Sequence, residues 1–264
     1  MELHLTKKTV VITGGATGIG RAAAIEFLKE GANVAILGRR LQPLQVFSDE
    51  MAQQGCSVYY ESCDVTDHDK VAAYAQHVVD KFGSLDVWIN NAGIAIDKPF
   101  LDFSAADWQK ICDINLKAVI DCTQIAARHM VPQNSGVIIN ASSFCSKIPH
   151  ANGVLYAATK AAVSNLTKST AAALAPYGIR VVGYIPGMIV TPISEQMIAS
   201  YKEKFTKDIS LGRLGRPEDL AKPIVFLASD AACYITGVEL EISGGKFAVQ
   251  DCAMGWRFKE GKNA

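Results

Sequence analysis

Short apolar, β-branched runs alternate with helix-patterned stretches along nearly the whole chain, and the first run opens straight into a glycine-rich turn. Thr9-Val10-Val11-Ile12-Thr13 reads as a buried strand. Gly14-Gly15-Ala16-Thr17-Gly18-Ile19-Gly20 follows at once, and Arg21 to Leu28 reads as helix. In that context glycines let backbone N–H groups approach a pyrophosphate, and the helix N-terminus adds partial positive charge. The spacing is G-x-x-x-G-x-G, not the commoner G-x-G-x-x-G. A tight turn without a ligand would give the same local pattern, so the rest of the chain has to decide.

Further strands are expected at Asn33–Leu37, Ser57–Glu61, Leu85–Ile89, Gly136–Asn140, Ile179–Ile185 and Val238–Ile242, with helices between them. Strict alternation with short connections predicts an α/β fold: a single, doubly wound parallel sheet, Rossmann-like, with helices on both faces. The 264 residues carry no internal repeat and no linker, so one domain over 1–264 is expected. The stretch 190–214 is loosely helical and reads as a flexible substrate lid or as plain surface helix. The tail 246–264 has apolar weight in Met254, Trp256 and Phe258, and is expected to dock on a neighbouring subunit or to fray.

Gly31 reads as a helix cap ahead of the second strand. A unit that binds NAD usually carries a carboxylate at the end of that strand, for the ribose 2′-hydroxyl. Here Gly38, Arg39 and Arg40 stand there. No local carboxylate repels a 2′-phosphate, and guanidinium groups suit one, so NADP(H) is expected over NAD(H). Two solvated arginines are the plainer reading. Asp64 falls at a strand C-terminus and reads as an acceptor for an adenine amino group, as the N-cap of the next helix, or as both. Asn90-Asn91-Ala92-Gly93 closes the fourth strand with residues that allow backbone approach to a ribose. Ser104 to about Met130 reads as one helix with Ser104 as N-cap. Asn115 lies inside it, an unfavourable place for Asn unless its amide is satisfied by backbone.

Tyr156 and Lys160 stand four residues apart in Ala-rich helix, hence on one face. An ammonium beside a phenol is expected to lower the tyrosine pKa toward neutrality and fit it for proton transfer. Bulk composition excludes other classes. Lys+Arg and Asp+Glu are 26 each, which suggests no nucleic-acid partner. No apolar run is long enough for a membrane span, and the N-terminus lacks a signal-peptide core. Seven cysteines, scattered without C-x-x-C, point to free thiols in a reducing cytoplasm, with no disulfide framework and no metal site.

Taken together, Thr13 to Gly20, Asp64-Val65, Asn90-Asn91-Ala92-Gly93, Asn115, Ser143, Tyr156 with Lys160, and Pro186-Gly187 with Thr191 resemble the short-chain dehydrogenase/reductase family over nearly the full length. The resemblance implies hydride exchange between a nicotinamide and a secondary alcohol or ketone. Tyr156 would be general acid or base, and Ser143, thirteen residues before it, would orient the substrate oxygen. Lys160 would tune Tyr156 and hold the ribose, and Asn115 would hold a relay water. It further implies NADP contacts from Gly14, Ala16, Thr17, Gly18, Ile19, Gly20, Arg39, Arg40, Asp64, Val65, Asn91, Ala92 and Gly93. Tyr156, Lys160, Pro186, Gly187, Ile189 and Thr191 complete that set. A homotetramer or homodimer is implied as well. Departures are Ser146 in place of a usual Gly and a stretch before Pro186, carrying Tyr184, that lacks the family's Asn. The tail is also longer than usual. Phe144 to Leu155, with Met188, Ile189, Met197 and Phe205, offers an apolar wall. Steroid or bile-acid alcohols are therefore one expected substrate class, by similarity to bacterial hydroxysteroid dehydrogenases. The rival enzyme reading is a 3-oxoacyl thioester reductase, for which Lys147, His150 and Lys202 form no evident basic entrance, and the reading from another class is a non-catalytic NADP(H)-binding regulator.

Overall fold

The computed structural model describes residues 2–246 and 248–261, without the side chains at positions 196, 201, 202 and 204. The expectation for Lys202 and the tail positions 247 and 262–264 therefore lie outside the described residues.

Seven parallel strands form one sheet: β1 Thr9–Thr13, β2 Asn33–Gly38, β3 Val58–Ser62, β4 Val87–Asn90, β5 Gly136–Ala141, β6 Ile179–Pro186 and β7 Glu239–Ile242. Their order is β3-β2-β1-β4-β5-β6-β7. The period-2 geometry of a strand sends neighbouring residues to opposite faces, so a sheet covered on both sides needs apolar residues at every position. β1 shows this directly. Val10 and Ile12 join the core under helices α1 (Gly18–Lys29), α2 (Leu41–Gln53) and α8 (Pro217–Ala228). Val11 joins the opposite core, under α3 (His68–Phe82), α5 (Ala118–Gln133) and α6 (Val154–Leu174). The fold class expected from the alternation is the one observed.

After β3 the chain crosses back to lay β4 on the other side of β1. This reversal leaves a crevice at the C-terminal ends of β1 and β4, where open α/β sheets bind ligands. The glycine-rich turn and Asn91-Ala92-Gly93 both emerge there.

Three local expectations change. The helix beginning at Ser104 is not continuous. It runs as α4 (Ala105–Cys112), a π-helical turn Asp113–Lys117, and α5. Ser104 does cap it, accepting from Asp107 N at 3.2 Å while Asp107 Oδ2 accepts from Ser104 N at 2.9 Å. Asp64 does not cap α3. Asp67 does, and Asp64 instead closes its own turn by accepting from Thr66 N at 3.0 Å and Thr66 Oγ1 at 2.9 Å. The described part of the tail, with α9 (Met254–Lys259), lies on its own chain. Trp256 Nε1 donates to Ser210 O at 2.9 Å, and Cys252 Sγ approaches Lys207 O at 3.4 Å. Both acceptors follow α7 (Glu195–Lys207) or end it. No described helix is long and apolar enough to cross a membrane.

Candidate active site

The glycine turn is built for close approach. Gly14 and Gly18 have φ of +66° and +54°, which side chains rarely adopt. A Cβ at Gly20 would stand 2.5 Å from Gly14 O, so the first turn of α1 can lie against the loop only without one. Thr17 leaves the N-terminus of α1 without a side-chain cap, and no acid occupies its first turn. Open N–H groups and a first turn without acids suit a pyrophosphate.

Two cavities flank this turn. The smaller, about 190 Å³, is lined by Gly14, Ala16, Thr17, Gly38, Arg39, Arg40, Asp64, Val65, Ala92 and Gly93, among others. That gathers the residues expected around an adenosine. One correction applies: a carboxylate does stand near the arginines, since Arg39 Nε lies 3.9 Å from Asp64 Oδ2. Sequence distance concealed it, because β2 and β3 end side by side. The pair is exposed and thus weak, so Arg39 can exchange partners at little cost.

The larger cavity, about 430 Å³, runs from Gly14, Thr17, Gly18 and Ile19 to Ser143, Tyr156 and Lys160, with Asn91, Ala92, Gly93, Pro186, Gly187, Ile189 and Thr191 along it. Tyr156 and Lys160 share a face of α6, as their spacing requires. The Ser143 side chain faces Tyr156 and lowers the pKa of its phenol. Ser143 Oγ also accepts from Cys145 N at 3.1 Å, which fixes the hydroxyl at the end of β5. Lys160 is buried, donates to Ala141 O at 2.8 Å, and holds Nζ 5.8 Å from the Tyr156 ring centroid. Ser142, by contrast, turns to Ser164 Oγ at 2.7 Å and away from the tyrosine partnership.

Asn115 sits in the π turn and is fully buried. Its Oδ1 accepts from Ile94 N at 2.9 Å, and its Nδ2 donates to Ile94 O at 2.8 Å and reaches Thr159 Oγ1 at 3.4 Å. Its two shorter bonds go to backbone, on another segment. A π turn re-aims one residue of a helix, and such turns favour functional sites. A Cβ at Gly93 would stand 3.3 Å from Asn115 Oδ1 and 3.6 Å from Lys160 Nζ, so these groups converge on that glycine.

The expected acidification of Tyr156 by Lys160 is not observed. Burial pushes the phenol up to about 12, against the lowering effect of the Ser143 bond. The same dryness pushes Lys160 down to about 8. Desolvation is the largest cause at both groups and disfavours both charges.

Five residues at the substrate end or floor escaped the motif reading in part or whole. Phe144, Cys145 and His150 fall within the stretch read as an apolar wall, while Asp97 and the phenol of Tyr184 carried no signal of position. His150 lines the cavity, with Nδ1 paired to Asn152 Oδ1 at 2.8 Å.

A parallel sheet with a glycine-cradled crevice, two cavities along it and a Ser–Tyr–Lys set at one end defines a nicotinamide-dependent oxidoreductase of the Rossmann-like class. Comparison with known proteins agrees. The family described as Enoyl-(Acyl carrier protein) reductase matches residues 14–246. The 3-oxoacyl-acyl-carrier-protein reductase FabG of Staphylococcus aureus is 38% identical over 241 residues, 91% of this chain and 98% of the relative. The cis-4-hydroxycyclohexanecarboxylate dehydrogenase of Sinomonas cyclohexanicum is 38% identical over 244 residues, 92% of this chain and 98% of the relative. A crystal structure of a gluconate 5-dehydrogenase from Burkholderia cenocepacia, in complex with NADP and tartrate, superposes with a TM-score of 0.90 at 31% identity, covering 94% of this chain and 98% of that one. This chain belongs to the short-chain dehydrogenase/reductase family.

Proposed function

We propose that this protein is an NADP(H)-dependent reductase of 3-oxoacyl thioesters, yielding the secondary alcohol. The observation that carries the reading is the convergence of Ser143, Tyr156 and Lys160 on one end of a cavity whose other end is the glycine turn, with Asn115 buried behind Gly93. A bound reduced nicotinamide supplies hydride to the carbonyl carbon. Tyr156 delivers the proton to the carbonyl oxygen, and Ser143 donates to that oxygen and holds it. Lys160 fixes the ribose side, and Asn115 leads a water relay that returns a proton to the site.

Arg39 and Arg40 at the adenosine end support NADP(H) over NAD(H). The thioester class is supported by the Staphylococcus aureus relative. Bile-acid or steroid alcohols have no such support among these relatives. A second reading, a small hydroxylated or cyclic ketone, is favoured by Asp97 and His150, which bring polar side chains to the substrate end. It agrees with the activity named for the Sinomonas relative. The segment 190–214 is proposed as the lid, since Thr191 to Ser194 and Met197 line the cavity. Cytoplasmic location accords with the seven free cysteines. Assembly as a homodimer or homotetramer accords with exposed Phe100, Leu101 and Trp108.

The test is a turnover panel followed by NADPH absorbance, with acetoacetyl thioester, 4-oxocyclohexanecarboxylate and a keto-steroid. Thioester kcat/KM is expected to exceed the others by at least about tenfold, near 1.4 kcal/mol of transition-state discrimination. The reverse ranking transfers the assignment to the cyclic ketone.

A further inference from the structure

Tyr184 lies in β6, paired with Ala141 on one side and Leu240 on the other. Its side chain is fully buried, and a buried phenol needs a partner for its hydroxyl. That partner is Asn91: the Tyr184 hydroxyl donates to Asn91 Oδ1 at 3.0 Å. The other end of the same amide donates to Thr13 O at 2.9 Å and Gly14 O at 3.3 Å. Asn91 N also donates to Thr13 Oγ1 at 2.9 Å.

The two ends of this amide are not interchangeable. Turned over, Oδ1 would face two carbonyl oxygens, and the Tyr184 hydroxyl would lose its acceptor. The amide also fills the gap inside the glycine turn. A Cβ at Gly14 would stand 3.2 Å from Asn91 Nδ2, and one at Gly20 only 2.6 Å. Asn91 is thus the strut beneath the turn that faces the cofactor cavity, and Tyr184 sets which way the strut faces.

We infer that Tyr184 is a positioning residue for the cofactor, holding the Asn91 amide in the one orientation that supports the Gly14 turn. The inference rests on the assignment of that turn to NADP(H). It adds a residue three strands away from β1, on a different segment from the fingerprint, to the determinants of cofactor affinity.

Tyr184→Phe keeps the ring and removes only the hydroxyl. Losing one neutral hydrogen bond that preorganises a turn is expected to weaken NADPH binding roughly 3- to 10-fold. The KM for NADPH should rise by the same factor, with kcat lowered less than about twofold and the pH profile unmoved. Asn91→Asp keeps the acceptor for Tyr184 but loses both donors to the turn, and is expected to weaken binding more. In the double variant the Tyr184 change should add almost nothing, because the strut it aims is already lost.

Unchanged NADPH affinity in Tyr184→Phe overturns the inference, as does a loss confined to kcat or strictly additive losses in the double variant. Wild-type protein that binds neither NADPH nor NADH overturns the cofactor assignment itself and this inference with it. Wild-type binding with an indifferent Tyr184→Phe overturns this inference alone.

Discussion

Tyr156 and Lys160 share one helical face, Lys160 buried and Tyr156 half-buried at the cavity, and desolvation shifts each toward its neutral form. Their spacing was legible in the sequence; their protonation was not. Desolvation depends on how β5, the Phe144–Ser146 turn and the segment before α7 close around them, and no four-residue motif carries that. Removing the phenol hydroxyl in Tyr156→Phe is expected to lower turnover by about 10²–10⁴, the range for a lost general acid. NADPH affinity, followed by fluorescence titration, should change less than about twofold. Lys160 gives a second, independent prediction. Its unfolded form titrates near 10.5 and its folded form near 8. Between those values the unfolded chain holds a proton that the folded chain lacks, so stability rises with pH. Tyr156, held at about 12, acts in the opposite sense once pH passes its ordinary value of 10. The Lys160 contribution is therefore read between about pH 8 and 10, as the difference in melting temperature between cofactor-free wild type and Lys160→Met. Wild type should gain relative to the variant over that window. A flat difference would mean that Lys160 stays charged.

At the scale of elements, the seven strands and most helices were legible because apolar period and glycine punctuation suffice for a two-faced parallel sheet. Two elements were not. The π turn at Asp113–Lys117 has no propensity signature; an interior Asn was its only trace. The docking of the tail depends on Gly212, where a Cβ would stand 2.8 Å from the Trp256 ring, a contact between segments far apart in sequence. That contact leads to a prediction. The tail holds residues 207–212, directly after the α7 helix whose Met197 lines the cavity. Trp256→Ala is expected to raise the substrate KM several-fold with NADPH affinity intact. Equal substrate KM in the two proteins would show that the tail does not restrain α7. On the proposed reading, cofactor choice is set where β2 meets α2. Gly38→Asp with Arg39→Ala exchanges a cation for a carboxylate there, and should swing the NADPH:NADH ratio of kcat/KM at least tenfold toward NADH. An unmoved ratio would assign the 2′-phosphate to Arg40 alone or to neither arginine.

Across the whole molecule, the strand order decides what a dinucleotide can do. Placing β4 beside β1 opens the crevice, and the two cavities on either side of the glycine turn are lined by loops from β1, β2, β3, β4, β5 and β6. The parallel, doubly wound class could be read from alternation. The convergence of Tyr184, Asn91 and Gly14 could not, because it arises only when the ends of β6, β4 and β1 are brought to one edge. A ligand that touches six strand ends should stabilise the fold as a unit and not locally. At a free concentration 100 times its Kd, NADPH would add about 2.7 kcal/mol to the folded state. For a chain of this size that corresponds to a rise of roughly 5–10 °C in melting temperature. The shift should appear as one cooperative transition by calorimetry, and NADH at the same concentration should give a smaller one. If NADPH instead left the main transition in place and split off a minor early one, the cavities would belong to a locally folding loop cluster. The sheet edge would then not be the site that holds the cofactor.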